Sequence, residues 1–247
     1  MLARNQLVHY LAEYLAVDQF KDYAPNGLQV EGTEQLQKIV TGVTASEALI
    51  DYAIAQQADA IIVHHGYFWR NEAPEITGMK RQRLKKLLAY DINLLAYHLP
   101  LDAHAELGNN AVLGRALSLE DITPQAGLLR LGRLVRPEPI EDFKQRVGAL
   151  LQRDPLHLPG GPDVINQVAW CTGGAQHMID QAQAWGADVF ISGEVSEQTF
   201  HSALEGKIHY LAAGHHATET WGVSALAQHI KEKFTIDCEF VNLVNPV

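Results

Sequence analysis

Cysteine is nearly absent: Cys171 and Cys238 are the only two in 247 residues. Two thiols close at most one bridge, and neither belongs to a CxxC pair. A disulfide framework and a thiolate zinc knuckle are thereby excluded, and both thiols are expected to be buried in a reducing compartment. No apolar run approaches the ~20 residues that span a bilayer. Residues 1–10 hold no signal-peptide core, so the expected compartment is the cytoplasm, with no membrane partner. Positive charge is also short, 19 Lys+Arg against 29 Asp+Glu for a formal charge of −10. No overall field draws the monomer onto nucleic acid, which leaves only local basic patches for that role. With 47% hydrophobic and 19% charged residues, the chain is neither disordered nor of low complexity. What it does have is histidine, 12 in all, several of them adjacent or four apart.

Short runs of Val, Ile and Leu alternate with longer segments of helical period, the pattern of βαβ units around buried sheets. The expected class is α/β. Strands are read at 38–43, 60–63 and 92–97 in the first half, with helices at 6–17, 46–57, 79–90 and 110–117. In the second half strands fall at 128–135, 168–171, 189–191, 208–212 and 236–241, with helices at 140–152, 175–185, 196–204 and 218–234. Pro/Gly-containing stretches at 123–127 and 158–162 punctuate the chain, and the first is the better boundary. Two domains follow: residues 1–125, and residues 126–247, whose last strand can pair with either sheet.

The halves also repeat. Laying residues 49–62 over 178–191 gives seven identities in fourteen positions, among them Asp51/Asp180, Asp59/Asp188 and Ile62/Ile191. After each copy comes a helix, an apolar strand, and a His followed four residues later by an acid, His98 to Asp102 and His215 to Glu219. The expected architecture is therefore two related α/β/α units with mixed sheets, an internal duplication. In this alignment His64 and His65 match Gly193 and Glu194. Only one copy keeps the histidine pair, so a single metal site between the units is expected rather than two symmetric ones.

The chemistry gathers at strand ends, where ligands bind in open α/β sheets. Ile61-Ile62-Val63-His64-His65-Gly66 places two imidazoles at the end of an apolar strand, serving one site or two neighbouring metals. Tyr97-His98-Leu99-Pro100-Leu101-Asp102 and Gly214-His215-His216-Ala217-Thr218-Glu219 supply more His and carboxylate. In the second group His215 is expected in a loop and Glu219 in the first helical turn, where the helix dipole alone favours a carboxylate. Asp102 taken singly is equally an Asx-turn residue. Taken together, imidazoles and carboxylates without thiolate suit Zn, Fe, Mn, Co or Ni, and do not select one.

These residues, with Asp22-Tyr23-Ala24-Pro25-Asn26-Gly27-Leu28-Gln29-Val30, Gly108-Asn109-Asn110 and Ser192-Gly193-Glu194, resemble the GTP cyclohydrolase 1 type 2 homologues, also called the Nif-three-like metal proteins. The resemblance runs in order over essentially the whole chain and is to the short form of the family. It implies two divalent metals bound by His64, His65, Asp102, His215 and Glu219. His98 and His216 then stand behind the ligands, orienting them or moving protons as catalytic residues. It implies hydrolysis of a nucleotide or related heterocycle, hydroxide attacking C8 of a purine, and a ring-shaped homohexamer built as a trimer of dimers. The alternatives are a non-enzymatic ring that binds nucleic acid or protein, or a metal-handling protein.

Four further features are weighed. Cys171-Thr172-Gly173-Gly174 is a fragment of a phosphate loop, though a simple turn before a helix is the commoner meaning. The run Lys80-Arg81-Gln82-Arg83-Leu84-Lys85-Lys86 reads as a solvated helix face. Tyr67, Phe68 and Trp69 are expected in a surface loop, packing on a neighbouring subunit or stacking on a base. Glu194 is a candidate for substrate or subunit contact.

Overall fold

The computed structural model describes residues 1–125 and 127–247. It divides into two compact units, Met1–Gly108 with Gly222–Val244, and Asn109–Trp221 with Asn245–Val247. The first carries β1 (Leu2–Ala3), α1 (Arg4–Tyr14), β2 (Gly27–Val30), β3 (Gln35–Leu36), β4 (Lys38–Thr44), α2 (Glu47–Ala55), β5 (Ala60–His65), α3 (Gly78–Ala89), β6 (Asn93–Ala96) and α4 (Leu99–Ala103). The second carries α5 (Asn109–Ala116), β7 (Leu119–Asp121), β8 (Arg130–Pro139), α6 (Ile140–Leu151), β9 (Leu156–Leu158), β10 (Val164–Cys171), α7 (Ile179–Ala184), β11 (Val189–Ser192), α8 (Glu197–Gly206) and β12 (His209–Ala212). α9 (His215–Phe234) begins in the second unit and ends in the first, which β13 (Asp237–Phe240) completes.

These units are drawn differently from a division at 125/126. The break falls at Gly108/Asn109, so α5 belongs with the second unit. The position expected for the boundary adjoins Ala126, which lies outside the described residues. The last strand returns to the first unit because β13 pairs in parallel with β4, Cys238 opposite Ile39.

In the first unit the sheet order is β13-β4-β5-β6-β2, with β4, β5 and β6 parallel and β2 antiparallel to β6. Alternation along each strand sends side chains to both faces. Ile39, Ile62 and Leu95 pack with Leu7 and Leu11 of α1 and Leu226 and Ile230 of α9. Val40, Ile61, Val63 and Leu94 pack with Leu49 and Ile50 of α2 and Leu84 and Leu87 of α3. The second sheet has the order β7-β8-β10-β11-β12-β9. Val168, Trp170 and Ile191 meet Leu113 of α5 and Phe143 and Val147 of α6, while Ala169, Phe190 and Tyr210 meet Ile179, Ala182 and Ala203 of α7 and α8. Both are three-layered α/β/α units, with the mixed sheets expected.

The duplication is visible in the hydrogen bonds. β4-β5-β6 and β10-β11-β12 are parallel triplets, and each is flanked on its last strand by an antiparallel strand that precedes it in the chain, β2 and β9. Asp59 Oδ2 accepts the amides of Gln37 and Lys38 at 2.6 and 3.0 Å, and Asp188 Oδ2 accepts those of Asn166 and Gln167, both at 2.8 Å. The Asp59 amide donates to Lys38 O, and the Asp188 amide to Gln167 O. The helix ahead of each Asp ends in the left-handed region at the same aligned position, Gln57 at φ +54° and Gly186 at φ +79°. Each aspartate thus stitches the start of its own strand to the neighbouring parallel strand that precedes it.

Among the described residues no helix is long and apolar enough to cross a membrane. Cys171 and Cys238 are buried, as expected, and form no disulfide among the described residues.

Because the two aspartates do the same work, Asp59→Ala and Asp188→Ala are expected to destabilise their own units comparably, by about 1–3 kcal/mol for two charge-assisted bonds. Denaturant midpoints of the two variants measure this, and an effect near zero at either site would remove that stitch from the account.

Candidate metal centre

In the first unit β5 runs on to His65, two residues further than expected, so no turn separates the paired histidines. Their rings nevertheless lie 4.6 Å apart, His64 fully buried and His65 partly so. The segment after β6 is not an open loop. Pro100 opens the short helix α4, whose Asp102 is buried. Asp102 Oδ1 stands 3.5 Å from His64 Nε2, while His64 Nδ1 lies 3.0 Å from the carbonyl oxygen of Tyr97. Only an Nδ1–H can bond a carbonyl, so the neutral ring carries its lone pair on Nε2, toward a carboxylate. Two electron-rich atoms at this separation suit a shared cation: two ligands at ~2.0–2.2 Å in tetrahedral array lie ~3.4 Å apart.

His98 is held in the same way. Its Nδ1 is 2.7 Å from Asp22 Oδ1. Asp22 also accepts from Asn26 Nδ2 and the Leu99 amide at 2.9 Å each, and Asn26 Oδ1 takes the His98 amide at 2.7 Å. Burial pushes the Asp22 carboxyl up, but these donors and the His98 charge outweigh it and hold the group at about 2. Ring nitrogens of His64, His65 and His98 lie within 4.8 Å of one another. His65 Nδ1 is 3.4 Å from Thr44 Oγ1.

In the second unit α9 starts at His215, not after it, which corrects the expected loop. His215 and Glu219 are one helical turn apart on the same face, with Nε2 to Oε2 at 3.1 Å. Glu194 at the end of β11 takes the other ring nitrogen, Nδ1 to Oε1 at 2.7 Å. Burial pulls the His215 pKa down, but the two glutamates more than offset it and raise it to about 9. Glu194 is thus the orienting partner of a candidate ligand, a role that sequence reasoning missed. His216 is buried on α9, its amide donating to Val247 O.

The Cys171-Thr172-Gly173-Gly174 loop is not a phosphate cradle. The amides of Thr172, Gly173 and Ala175 bond Asn110 Oδ1, Thr218 Oγ1 and Ser192 Oγ. Gly173 has φ +70°, and a Cβ there would fall 2.1 Å from Glu219 Oε1. The glycine lets the loop press against the carboxylate and fix it.

Of the aromatic trio only Phe68 is exposed. Tyr67 is core, its hydroxyl donating to Ala45 O. Trp69 packs edge-on to His98 at 5.0 Å, and the Arg70 guanidinium lies 5.7 Å over the exposed ring of Tyr23. In the basic helix Lys80 pairs with Glu72, and Lys86 with Glu47 and Asp51, in keeping with a solvated face.

The model of the Duf34/NIF3 (NGG1p interacting factor 3) family matches residues 2–246. The "GTP cyclohydrolase 1 type 2 homolog" of Allochromatium vinosum is 53% identical over 245 residues, 98% of this chain and 96% of that protein. Among solved structures, protein ybgI, of unknown function, aligns with TM-score 0.97 at 52% identity over 100% of both chains. TTHA1606 from Thermus thermophilus aligns with TM-score 0.91 at 38% identity over 100% of this chain and 99% of that one.

Two outcomes follow. A cation on His215 Nε2 must displace a proton held to about pH 9. Metal uptake at pH 7 to 8 is therefore expected to release about one proton from this residue, with affinity rising up to about pH 9. In the metal-free protein the raised pKa stabilises the fold fully below pH 6.5, and that contribution is lost as pH rises through about 9. Calorimetry in buffers of different ionisation enthalpy counts the proton. Gly173→Ala, which drives a methyl into Glu219, is expected to weaken metal binding at least ~10-fold, as read by competition with a chromophoric chelator.

Proposed function

Because the chain belongs to the Duf34/NIF3 family, we propose that it binds two divalent cations through His64, His65, Asp102, His215 and Glu219 and hydrolyses a nucleotide or related heterocycle. The observation that carries this reading is the repeated arrangement of an imidazole with Nδ1 tied back and Nε2 facing a buried carboxylate, His64 with Asp102 and His215 with Glu219. The donors fit borderline divalent metals, and five of them leave room for water and substrate. When bound, such cations lower the pKa of water and polarise an electrophile.

The chain's own residues do the rest. Tyr97 O and Glu194 hold His64 and His215 in the ligating tautomer. His98 and His216 are the residues proposed to move protons, and Asp22 binds His98 into the cluster beside His64 and His65. Trp69 and Tyr23 near His98, with Arg70 over Tyr23, supply ring faces and a cation suited to a planar, anionic substrate. The same proposal takes the chain as a homohexamer, a trimer of dimers.

Metal analysis of protein purified without added salts is expected to find two divalent ions per chain. In a turnover screen over a nucleotide panel, Asp102→Asn is expected to lower the rate at least ~100-fold. A wild-type rate no higher than that of Asp102→Asn, with metal present, would sink the hydrolase and leave a metal-handling or scaffold protein.

A further inference from the structure

Away from the candidate metal centre, the second unit buries another pair of histidines. His209 opens β12 and is only 5% exposed, and His157 lies beside it in the middle of the edge strand β9, its Nε2 3.0 Å from His209 Nδ1. The partners fix the tautomers. His209 Nε2 is 2.9 Å from Pro162 O, and only an N–H can bond a carbonyl, so the His209 lone pair is on Nδ1. That lone pair accepts the Gly160 amide at 3.3 Å and the Nε2–H of His157. His157 then carries its own lone pair on Nδ1, 3.6 Å from Glu141 Oε1 in the first turn of α6. A single neutral ring thus ties β12 to β9 and to the turn at residues 159–162. The turn fits closely, since a Cβ on Gly161 would fall 2.6 Å from His209 Cδ2. β9 pairs through three residues alone, Leu156–Leu158 against Ala212–Tyr210, so it relies on these side-chain contacts for its attachment.

A further proton has no comfortable place in this arrangement. On His209 Nδ1 it would point at two N–H donors. On His157 Nδ1 it would face Glu141, whose side chain is 65% exposed, while the His157 ring is only 13% exposed. Burial, the His209 ring and Lys144 of α6 oppose that charge and outweigh Glu141, so the His157 pKa is lowered. Lys144 is itself turned to Asp154 at 3.5 Å. On α8 the charged side chains Glu197, His201 and Glu205 are exposed, and His201 pairs with Glu197. We propose that His157 and His209 form an acid-sensitive latch on the second sheet: with both rings neutral they hold β9 and the 159–162 turn onto β12, and acidification detaches strand and turn and bares the β12 edge. The sign follows from the depressed imidazole. The latch's contribution is whole above the ordinary value of 6.5 and is lost as pH falls toward the lower folded value. What opens is local, an edge strand with its turn, and what it uncovers is a row of main-chain groups able to pair with another strand.

Amide exchange of the full chain between pH 7.5 and 5, corrected for intrinsic rates, tests the latch. Opening of residues 156–160 is expected to become at least ~3-fold more favourable over that range, while β7, the opposite edge of the same sheet, changes little. His157→Gln is the informative variant, because its amide nitrogen replaces Nε2 as donor to His209 and nothing titrates. It is expected to keep the neutral-pH protection of β9 within ~3-fold and to lose the acid response. Should that variant be loosened throughout, the wild-type ring answers alone: the His157 imidazole resonances are expected to titrate with a midpoint below 6.5. Exchange of β9 that does not respond to pH, equal acid acceleration at β7, an unchanged acid response in His157→Gln, or a His157 midpoint at or above 6.5 would each overturn the proposal.

Discussion

The candidate site depends on how its imidazoles are held from behind. A histidine can ligate through either ring nitrogen, and a free side chain rotates between the two. Here the choice is made three times: Tyr97 O for His64, Asp22 for His98 and Glu194 for His215. Each contact takes Nδ1 and turns Nε2 outward. The cost in desolvation is greatest at Asp22, a buried carboxylate held anionic only by the donors around it. These rings are therefore oriented before any cation arrives, so a cation binding them would cost little further side-chain entropy.

The duplicated architecture explains why this rigidity is built differently in the two units. β5 ends in His64-His65, and the aligned Gly193-Glu194 follow directly on β11. One copy uses the strand end for candidate ligands. The other uses it for a clamp, since Glu194 orients His215 and Gly193 bonds back to Gly173 O. The segments after β6 and β12 both present a histidine whose Nδ1 meets a carboxylate at 2.7 Å, His98 with Asp22 and His215 with Glu194. The carboxylates have separate origins, a loop ahead of β2 in one unit and a strand end in the other. The repeated histidine is thus held by a different carboxylate in each unit.

What the sequence made legible follows the same division. The parallel strands β4, β5, β10, β11 and β12 and the helices packed on them were readable, because a strand buried on both faces is a run of Val, Ile and Leu and an amphipathic helix has a period. The antiparallel edge strands β2, β7 and β9 were not, being three or four residues long and of mixed polarity. The strand-end histidines and carboxylates stood out by type and spacing, and the family resemblance picked out His64, His65, Asp102, His215 and Glu219 among them. Their supports did not. A main-chain carbonyl at Tyr97 has no sequence signature, Asp22 is 76 residues from the ring it holds, and Glu194 acts on a different strand end. Tyr67 was misplaced in a surface loop because an aromatic after a glycine turn looks the same whether it points out or folds back to Ala45 O. The Asp22 to Val30 motif was visible as a resemblance, yet its physical task, holding His98 through Asp22 and Asn26, appears only in three dimensions.

The loop at Gly173 shows why composition alone misleads about anion binding. A glycine pair between strand and helix attracts phosphate only when its amides point at open space. Here the loop's amides bond Asn110, Thr218 and Ser192. The positive φ at Gly173 brings the chain within van der Waals reach of Glu219 instead. Any anionic part of a substrate must then find its counter-charge elsewhere. On the first unit the exposed Arg70 guanidinium is anchored to Asp22 O and stacked over Tyr23, beside the ring of His98. The turn that fixes the His98 ring from behind thus also presents a cation and an aromatic face in front, so an anion docking there would depend on the same buried carboxylate.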